Sequence, residues 1–472
     1  EVKKADKNIN PAIPLSSVFN NLKGNKLSFY YQPTPLAEEI NYPTDIPGFA
    51  ITSNDYRKLA DKLKKELSDI SFGNSYVNAL LSVLEANLSC LPSNTMHMDT
   101  ADIPLYDHCK LTAAIASCIQ EYLSYSNRTE YRFEPSAEDS FYAEKAFLMF
   151  SGDFSGIQSF IYNIVSDGAL KSLRSRSFFL ELTMEHIVDE ILEAGGVSRA
   201  NLIYSGGGHC YILLPNTPQV KENIDMLLKT VNKWLRDGFG TRLYYAWAYT
   251  ECSANDLMNI PSENAPYEQI FRNLSRQLSA KKMHRYTPEE LMELNSATKQ
   301  DGIRECRICG TEDRLDKDDD ICHWCGSFEK LSGRLLQKDL VILVSAQENP
   351  ECPYIKLPSL SGELYCYFTD VTDAVKLYKE MDIKRFYTKN RSYPQLPNGT
   401  KLYMGDYVFD TRIEKLLSED GMQRIAVLRA DVDDLGLAFI SGFTRQSPDP
   451  KVRNQYNTLS RTAAFSRQLS LF

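Results

Sequence analysis

Two cysteine pairs, "CRIC" at 306–309 and "CHWC" at 322–325, stand twelve residues apart. Paired CxxC knuckles bend around an ion so that four thiolates converge tetrahedrally, the donor set of zinc. Cys306, Cys309, Cys322 and Cys325 would close that site, so the zinc is expected to fold a small domain and not to activate water. His323, inside the second knuckle, is expected to point outward. A second constellation is "ADVDDLG" at 430–436, with Asp431 ending an apolar stretch and Asp433 and Asp434 on the turn after it. Nucleotidyl transfer needs carboxylates at such an edge. Divalent ions that bridge a triphosphate and an attacking hydroxyl take carboxylate oxygens and waters, which suits Mg²⁺ or Mn²⁺. An acidic turn with Asp as helix N-cap is the competing reading of the same residues.

Three further stretches are weaker. "SGDFSGIQ" (151–158) could offer backbone N–H groups at a helix N-terminus to an anion, although a plain turn is the commoner outcome. "LRSRS" (173–177) puts Arg174 and Arg176 before the next helical pattern, suited to phosphate or RNA backbone, but exposed arginine pairs are common. Asp107 and His108 in "YDH" tempt a metal-dependent phosphohydrolase reading, against which a capped or buried histidine weighs more heavily. "YSGGGHCYILLPN" (204–216) places three glycines between two apolar runs, as a tight hairpin or a phosphate cradle would. No GxxxxGK[ST] loop, complete GxGxxG fingerprint or Ser-His-Asp order appears.

The elements that must position these residues follow from periodicity. Residues 1–135 are mostly helical, with Leu59, Leu63, Leu67 and Ile70 at helical spacing, a loop over 34–55 and a helix from near Tyr106. From 146 the order is strand (146–150), helix from Ile157, a longer helix from "RSFFLELT", strand (201–204), strand (210–214), helix from "VKENIDML", and strand "RLYYAWAYT". This β-α-β-β-α-β order is the ferredoxin-like split arrangement, with the glycines as the turn between its two central strands. A charged helical stretch covers 271–300, strands 338–346 and 362–368, and a short helix 371–382. The strand "RIAVLRADV" (424–432) precedes a helix start at "LGLAFI". Setting Asp153 against Asp431 lays "FLMFSGDFSGI" on "IAVLRADVDDL", a faint internal repeat that suggests a second copy of the same domain.

At 472 residues the chain exceeds one compact core, so about two to four domains are expected. A net charge of −9 argues against nonspecific coating of nucleic acid, while leaving room for a local basic groove. The clustering of four of the 11 cysteines reads as a reducing, cytoplasmic environment with one metal site. No apolar run reaches about eighteen residues, so no membrane span is expected. The chain opens "EVKKADKNINP" and closes "SRQLSLF" within a helical pattern, the expectation being a fragment of a longer protein.

Together "GDFSGIQSFIY", "LRSRSFFLEL", "YSGGGHCYILLPN", the paired CxxC and "RADVDDLG" resemble the large subunit of type III-A CRISPR effector complexes, the Cas-ten family in its Csm branch, over roughly residues 100–472. "DIPLYDHCKLTAAIA" is similar to the family's stretch before its first palm. The resemblance implies an α+β chain. It would have a helical remainder of an HD-type domain plus linker (1–135), a first ferredoxin-like palm akin to GGDEF and adenylyl cyclase domains (136–265), a zinc-binding linker domain (266–420) and the start of a second, catalytic palm (421–472). It implies cyclic oligoadenylate synthesis from ATP by the second palm on target-RNA binding, with Asp431 as first metal carboxylate, Asp433 and Asp434 beside it, and magnesium or manganese on Asp431 and Asp434. Asp153, Ser155, Gly156, Ser205, Gly206, Gly207 and Gly208 would line the nucleotide side of the first palm, with Ser460, Arg461, Ser466 and Arg467 approaching the ATP pair. Gly208 and His209 stand where an active palm would carry acids. Implied partners are guide CRISPR RNA, target RNA, other Csm subunits and, through an HD nuclease domain, single-stranded DNA. The HD motif and the GGDD hairpin are both missing from these residues, so His108 is at most a remnant of the former. The alternatives are a non-catalytic, zinc-stapled scaffold that anchors guide RNA and partner subunits, and a free-standing GGDEF-like cyclase.

Overall fold

The computed structural model describes residues 9–23, 27–36, 42–45, 51–70, 76–96, 100–129, 138–164, 169–296, 305–311, 315, 320–350, 352, 354–393, 396, 399–405, 415, 417, 422, 424–426, 428 and 433–470. At its centre is a four-stranded antiparallel sheet. Its spatial order is Leu202–Gly206, His209–Pro215, Phe147–Ser155 and Tyr244–Cys252. In chain order this is 2-3-1-4, the ferredoxin-like topology that the β-α-β-β-α-β pattern requires.

Period-two alternation gives the sheet two buried faces. Leu148, Phe150, Ile212, Leu214, Tyr245 and Trp247 face the helices Ala169–Ala194 and Pro218–Phe239. Phe147, Met149, Leu213, Tyr244, Ala246 and Ala248 face the helices Leu105–Tyr125 and Pro266–Met283. The second of those helices lies beyond residue 265 in sequence but packs on this sheet, so the first core extends past the expected domain boundary.

A five-stranded sheet follows, ordered Thr400–Leu402, Ile383–Lys389, Leu340–Ser345, Gly362–Asp370, Tyr354–Ser359. One face shares the core of the first sheet and the other carries the helix Val371–Glu380. The sequence reading finds Leu340–Ser345 and Gly362–Asp370 and misses the other three strands. "YIKLPS" carries Pro358, which an edge strand tolerates, and "IKRFYTK" has no alternation, because only its second half is buried.

Three expectations need correcting. The first strand does not end at 150: it runs through Asp153 to Ser155, because both neighbours pair along its whole length. As expected, the glycine turn joins the two strands that are central in chain order, Leu202–Gly206 and His209–Pro215, of which the first lies at the sheet edge. Arg174 and Arg176 lie inside the helix Ala169–Ala194 and not before it. Arg176 is buried, donating to the carbonyls of Phe160 at 2.6 Å and Asn163 at 3.1 Å, and so closes the end of the preceding short helix. In the expected strand 424–432, the described residues 424, 425, 426 and 428 are exposed and form no strand, and the others lie outside the described residues. Asp431 lies outside the described residues.

The C-terminal helices Leu435–Ser441 and Leu459–Ser470 dock on the first sheet. Phe439 stacks 4.8 Å from Tyr204 and 5.9 Å from Tyr211, and Tyr267 donates to Thr462 Oγ1 at 2.7 Å.

Candidate functional site

The four cysteines of the two knuckles converge. The ligand atoms of Cys306, Cys309, Cys322 and Cys325 all lie within 4.8 Å of one another, and all four residues are buried. Cys322 caps the helix His323–Arg334: its sulfur accepts from the Cys325 N–H, and its own N–H reaches the Cys306 sulfur at 3.3 Å. Arg176 Nη2 lies 3.5 Å from the Cys325 sulfur. A buried, all-thiolate, four-ligand set with N–H and guanidinium donors around it fits a closed structural zinc, and its charge favours thiolates. His323 is exposed, as expected.

The glycine hairpin is a two-residue turn. Gly207 and Gly208 have φ of +62° and +82°, the double left-handed geometry that a type I′ hairpin needs. At Gly208 the positive φ disfavours a side chain, and a Cβ would also displace Ile157 Cδ1, 2.3 Å away on the short helix Ile157–Tyr162. Gly206 ends the edge strand, and Ser205 donates to Glu185 at 2.8 Å. Gly156 caps that short helix at φ +95°, and Ser155 is the last, buried residue of the strand before it.

Across the strands, His209 pairs with Asp153. Its Nδ1 lies 3.3 Å from Asp153 Oδ2 and its Nε2 3.2 Å from Ser151 Oγ, a contact order that sequence spacing hides because two strands supply it. It mimics a hydrolytic triad, but Ser151 is 0% exposed, so no substrate carbonyl can reach its hydroxyl. Lys282 Nζ also reaches Asp153 at 2.7 Å. Burial raises the Asp153 pKa, yet the hydrogen bonds from His209 and Lys282 outweigh it and hold the carboxyl below its ordinary value. Asp153 is thus a neutralised structural acid.

The acids of the later turn differ. Asp433 and Asp434 are exposed, and Asp434 occupies the N-cap of Leu435–Ser441 in left-handed geometry without a side-chain capping bond. Helix capping therefore does not account for its carboxylate.

The arginines expected near nucleotide are engaged elsewhere. Arg461 donates two bonds to Asp102, at 2.8 and 3.0 Å, and Arg467 donates to both oxygens of Asp107. The stretch "DIPLYDH" thereby receives the C-terminal helix, a pairing across the whole chain that no local signal announces. Arg467 Nη1 stays buried without a partner. Ser466 is buried and Ser460 half-buried on the same helix. His108 is exposed on the helix Leu105–Tyr125, neither buried nor capping, because its neighbours Tyr106 and Asp107 take the inward face.

A family model for "Csm1 subunit domain B" matches residues 146–297, the first sheet with the helices Ala169–Ala194, Pro218–Phe239 and Pro266–Met283. The chain is 39% identical over 480 residues to the CRISPR system single-strand-specific deoxyribonuclease Cas10/Csm1 (subtype III-A) of Mycobacterium tuberculosis, covering 98% of this chain and 58% of that protein. It resembles the solved Csm1-Csm4 cassette in complex with one ATP at a TM-score of 0.66 and 26% identity, over 96% of this chain and 54% of that one. The same cassette in complex with cA3 aligns at a TM-score of 0.63 and 25% identity, over 97% and 54%. The chain spans about six tenths of the length of the curated relatives it matches. Among the described residues, no helix is long and apolar enough to cross a membrane.

Proposed function

The chain is a homologue of the Cas10/Csm1 large subunits of subtype III-A CRISPR systems, and on that premise we propose that it is the ATP-using part of an RNA-guided antiviral effector. On this reading the first ferredoxin-like sheet is a palm whose hairpin has no acids and which holds nucleotide through Ser155, Gly156 and the 205–208 turn. Residues from 421 begin its catalytic twin, 1–135 belong to the region around an HD domain, and the zinc-bearing linker follows the helix Pro266–Met283, which packs on the first sheet, and runs to 420. ATP is converted to cyclic oligoadenylate when target RNA pairs with the guide. Single-stranded DNA cleavage belongs to an HD domain outside the 472 residues. Csm4 and other Csm subunits are the expected protein partners, in a cytoplasmic complex.

The observation that carries the proposal is the contrast between two acidic turns. Asp153 is held by His209 and Lys282, whereas Asp433 and Asp434 are exposed and, among the described residues, their carboxylates have no hydrogen-bond or ion-pair partner. Free carboxylates on the turn after Asp431 could hold a divalent ion, which supplies charge neutralisation at a triphosphate and its attacking hydroxyl. Relatives of the fold solved with ATP and with cA3 support the same chemistry.

In the full-length protein assembled with its guide, Asp431→Ala is expected to abolish metal-dependent, target-RNA-stimulated ATP turnover while leaving the melting temperature unchanged. An unchanged rate contradicts the assignment. One observation favours the scaffold reading instead: Arg461 and Arg467 are held by buried carboxylates and would have to leave them to meet ATP. If the scaffold reading holds, the wild-type complex shows no ATP turnover, and removing zinc releases partner subunits.

A further inference from the structure

At the sheet edge opposite the glycine hairpin, a cleft of about 460 Å³ opens beside the strand Tyr244–Cys252. Two helices form its walls. Lys229 and Lys233 stand one turn apart on Pro218–Phe239. Lys281, with His284 and Arg285 just beyond it, comes from the end of Pro266–Met283. Among the described residues, Lys229, Lys281 and Arg285 have no carboxylate in ion-pair contact, and Lys233 reaches only the exposed Asp237 at 4.0 Å. The acids nearby are committed elsewhere: Glu290 pairs with Arg236, and Asp225 accepts from Trp247 Nε1 at 2.8 Å.

Buried aromatic rings make the floor and orient the cations. Lys281 Nζ lies 3.9 Å from the Trp247 centroid, and the Arg285 guanidinium lies 5.8 Å from that of Tyr244. Tyr286 lines the same cleft, its hydroxyl buried beneath the surface. Burial draws Lys281 below its ordinary pKa, and the more distant Asp225 only partly offsets it. An anion placed here would meet an ammonium that gains from the contact.

We propose that this cleft binds the phosphodiester backbone of a single nucleic-acid strand. Lys229 and Lys233, one helical turn apart on one wall with Cβ atoms about 5–6 Å from each other, face Lys281 and Arg285 on the other wall of an open groove. That spacing suits a chain with one charge per nucleotide better than one compact anion. Against a net charge of −9, such a local excess is a built feature and not a general property of the surface. The cleft stands apart from the nucleotide site and its test does not use ATP turnover, so either reading can fail without the other.

The test measures binding of a fluorescein-labelled single-stranded oligouridylate to the full-length protein across a salt series. Lys229→Glu/Lys281→Glu is expected to weaken binding about tenfold or more, and to flatten the slope of log K against log salt by about 0.7 per lost phosphate contact. Lys229→Gln/Lys281→Gln, milder at two positions near the surface, is expected to show the same trend with an unchanged melting temperature. Lys376→Glu, on the exposed face of the helix Val371–Glu380, is expected to leave both quantities alone. Unchanged affinity and slope in the glutamine pair overturn the proposal. So does displacement of the oligonucleotide by poly-glutamate at equal charge concentration, which would mark the cleft as a site for acidic polypeptide.

Discussion

Glu181 and Glu185 stand one turn apart on the helix Ala169–Ala194 and line a cavity with Lys110, Arg199 and Ser205. Glu185 is paired with Arg199 at 2.7 Å, whereas Glu181 has no such partner among the described residues, and burial followed by the charge of Glu185 pushes its pKa up to about 7. The folded value lies above the unfolded one of about 4.3, so the folded state holds this proton more tightly. Its contribution to stability is complete below about pH 4.3 and is lost as pH rises through about 7. Glu181→Gln, which keeps the neutral shape at every pH, is therefore expected to gain stability over wild type between about pH 5 and about pH 8, by on the order of 2 kcal/mol. Urea unfolding at the two pH values checks this; a constant difference would show that the carboxyl is not perturbed. Nothing in "LELTMEHI" announces it, because the perturbation comes from a cavity assembled by residues such as Lys110 and Lys401 far away in sequence. Residue chemistry was legible where spacing alone defines it, as in the two CxxC knuckles. It was hidden where tertiary pairing decides, as for Arg176, Arg461 and Arg467.

At the scale of elements, the sheet order was readable because each strand and helix of 146–252 carries its own period and stop signal, Gly195 and Gly196 among them. The later sheet was only half readable. Ile383–Lys389 lies between two neighbouring strands, so its pairing partners, and not its own pattern, make it a strand. The helix His323–Arg334 is similar: it starts on a metal ligand and packs on Ala169–Ala194, burying Phe328 and Leu331. Metal binding and helix formation should therefore be coupled. Cys309→Ser in the full-length protein is expected to drop the zinc content measured by elemental mass spectrometry, lower the melting temperature, and speed hydrogen exchange over 323–334. Full exchange protection without zinc would contradict that coupling.

For the whole molecule, the buried pair of Arg461 with Asp102, the latter 0% exposed, ties the first hundred residues to the last helix. Arg461→Met leaves that carboxylate buried without a counter-charge and is expected to cost about 3–5 kcal/mol, part of it recovered by adding Asp102→Asn. Additive single effects in urea unfolding would show that the two do not act as a pair. This tie sets the C-terminal helices, and with them Asp433 and Asp434, against the sheet of the glycine hairpin. The central claim is that those free acids serve ATP cyclisation while the hairpin sheet, its own Asp153 neutralised, serves binding. Its most direct test is mass analysis of what the full-length subunit, assembled with its guide and given target RNA and Mg²⁺, makes from ATP. The expected product is ring-closed oligoadenylate, with one pyrophosphate released per AMP incorporated, made by wild type and lost in Asp433→Ala/Asp434→Ala. No ring product from wild type, or rings still made by that variant, would contradict the account.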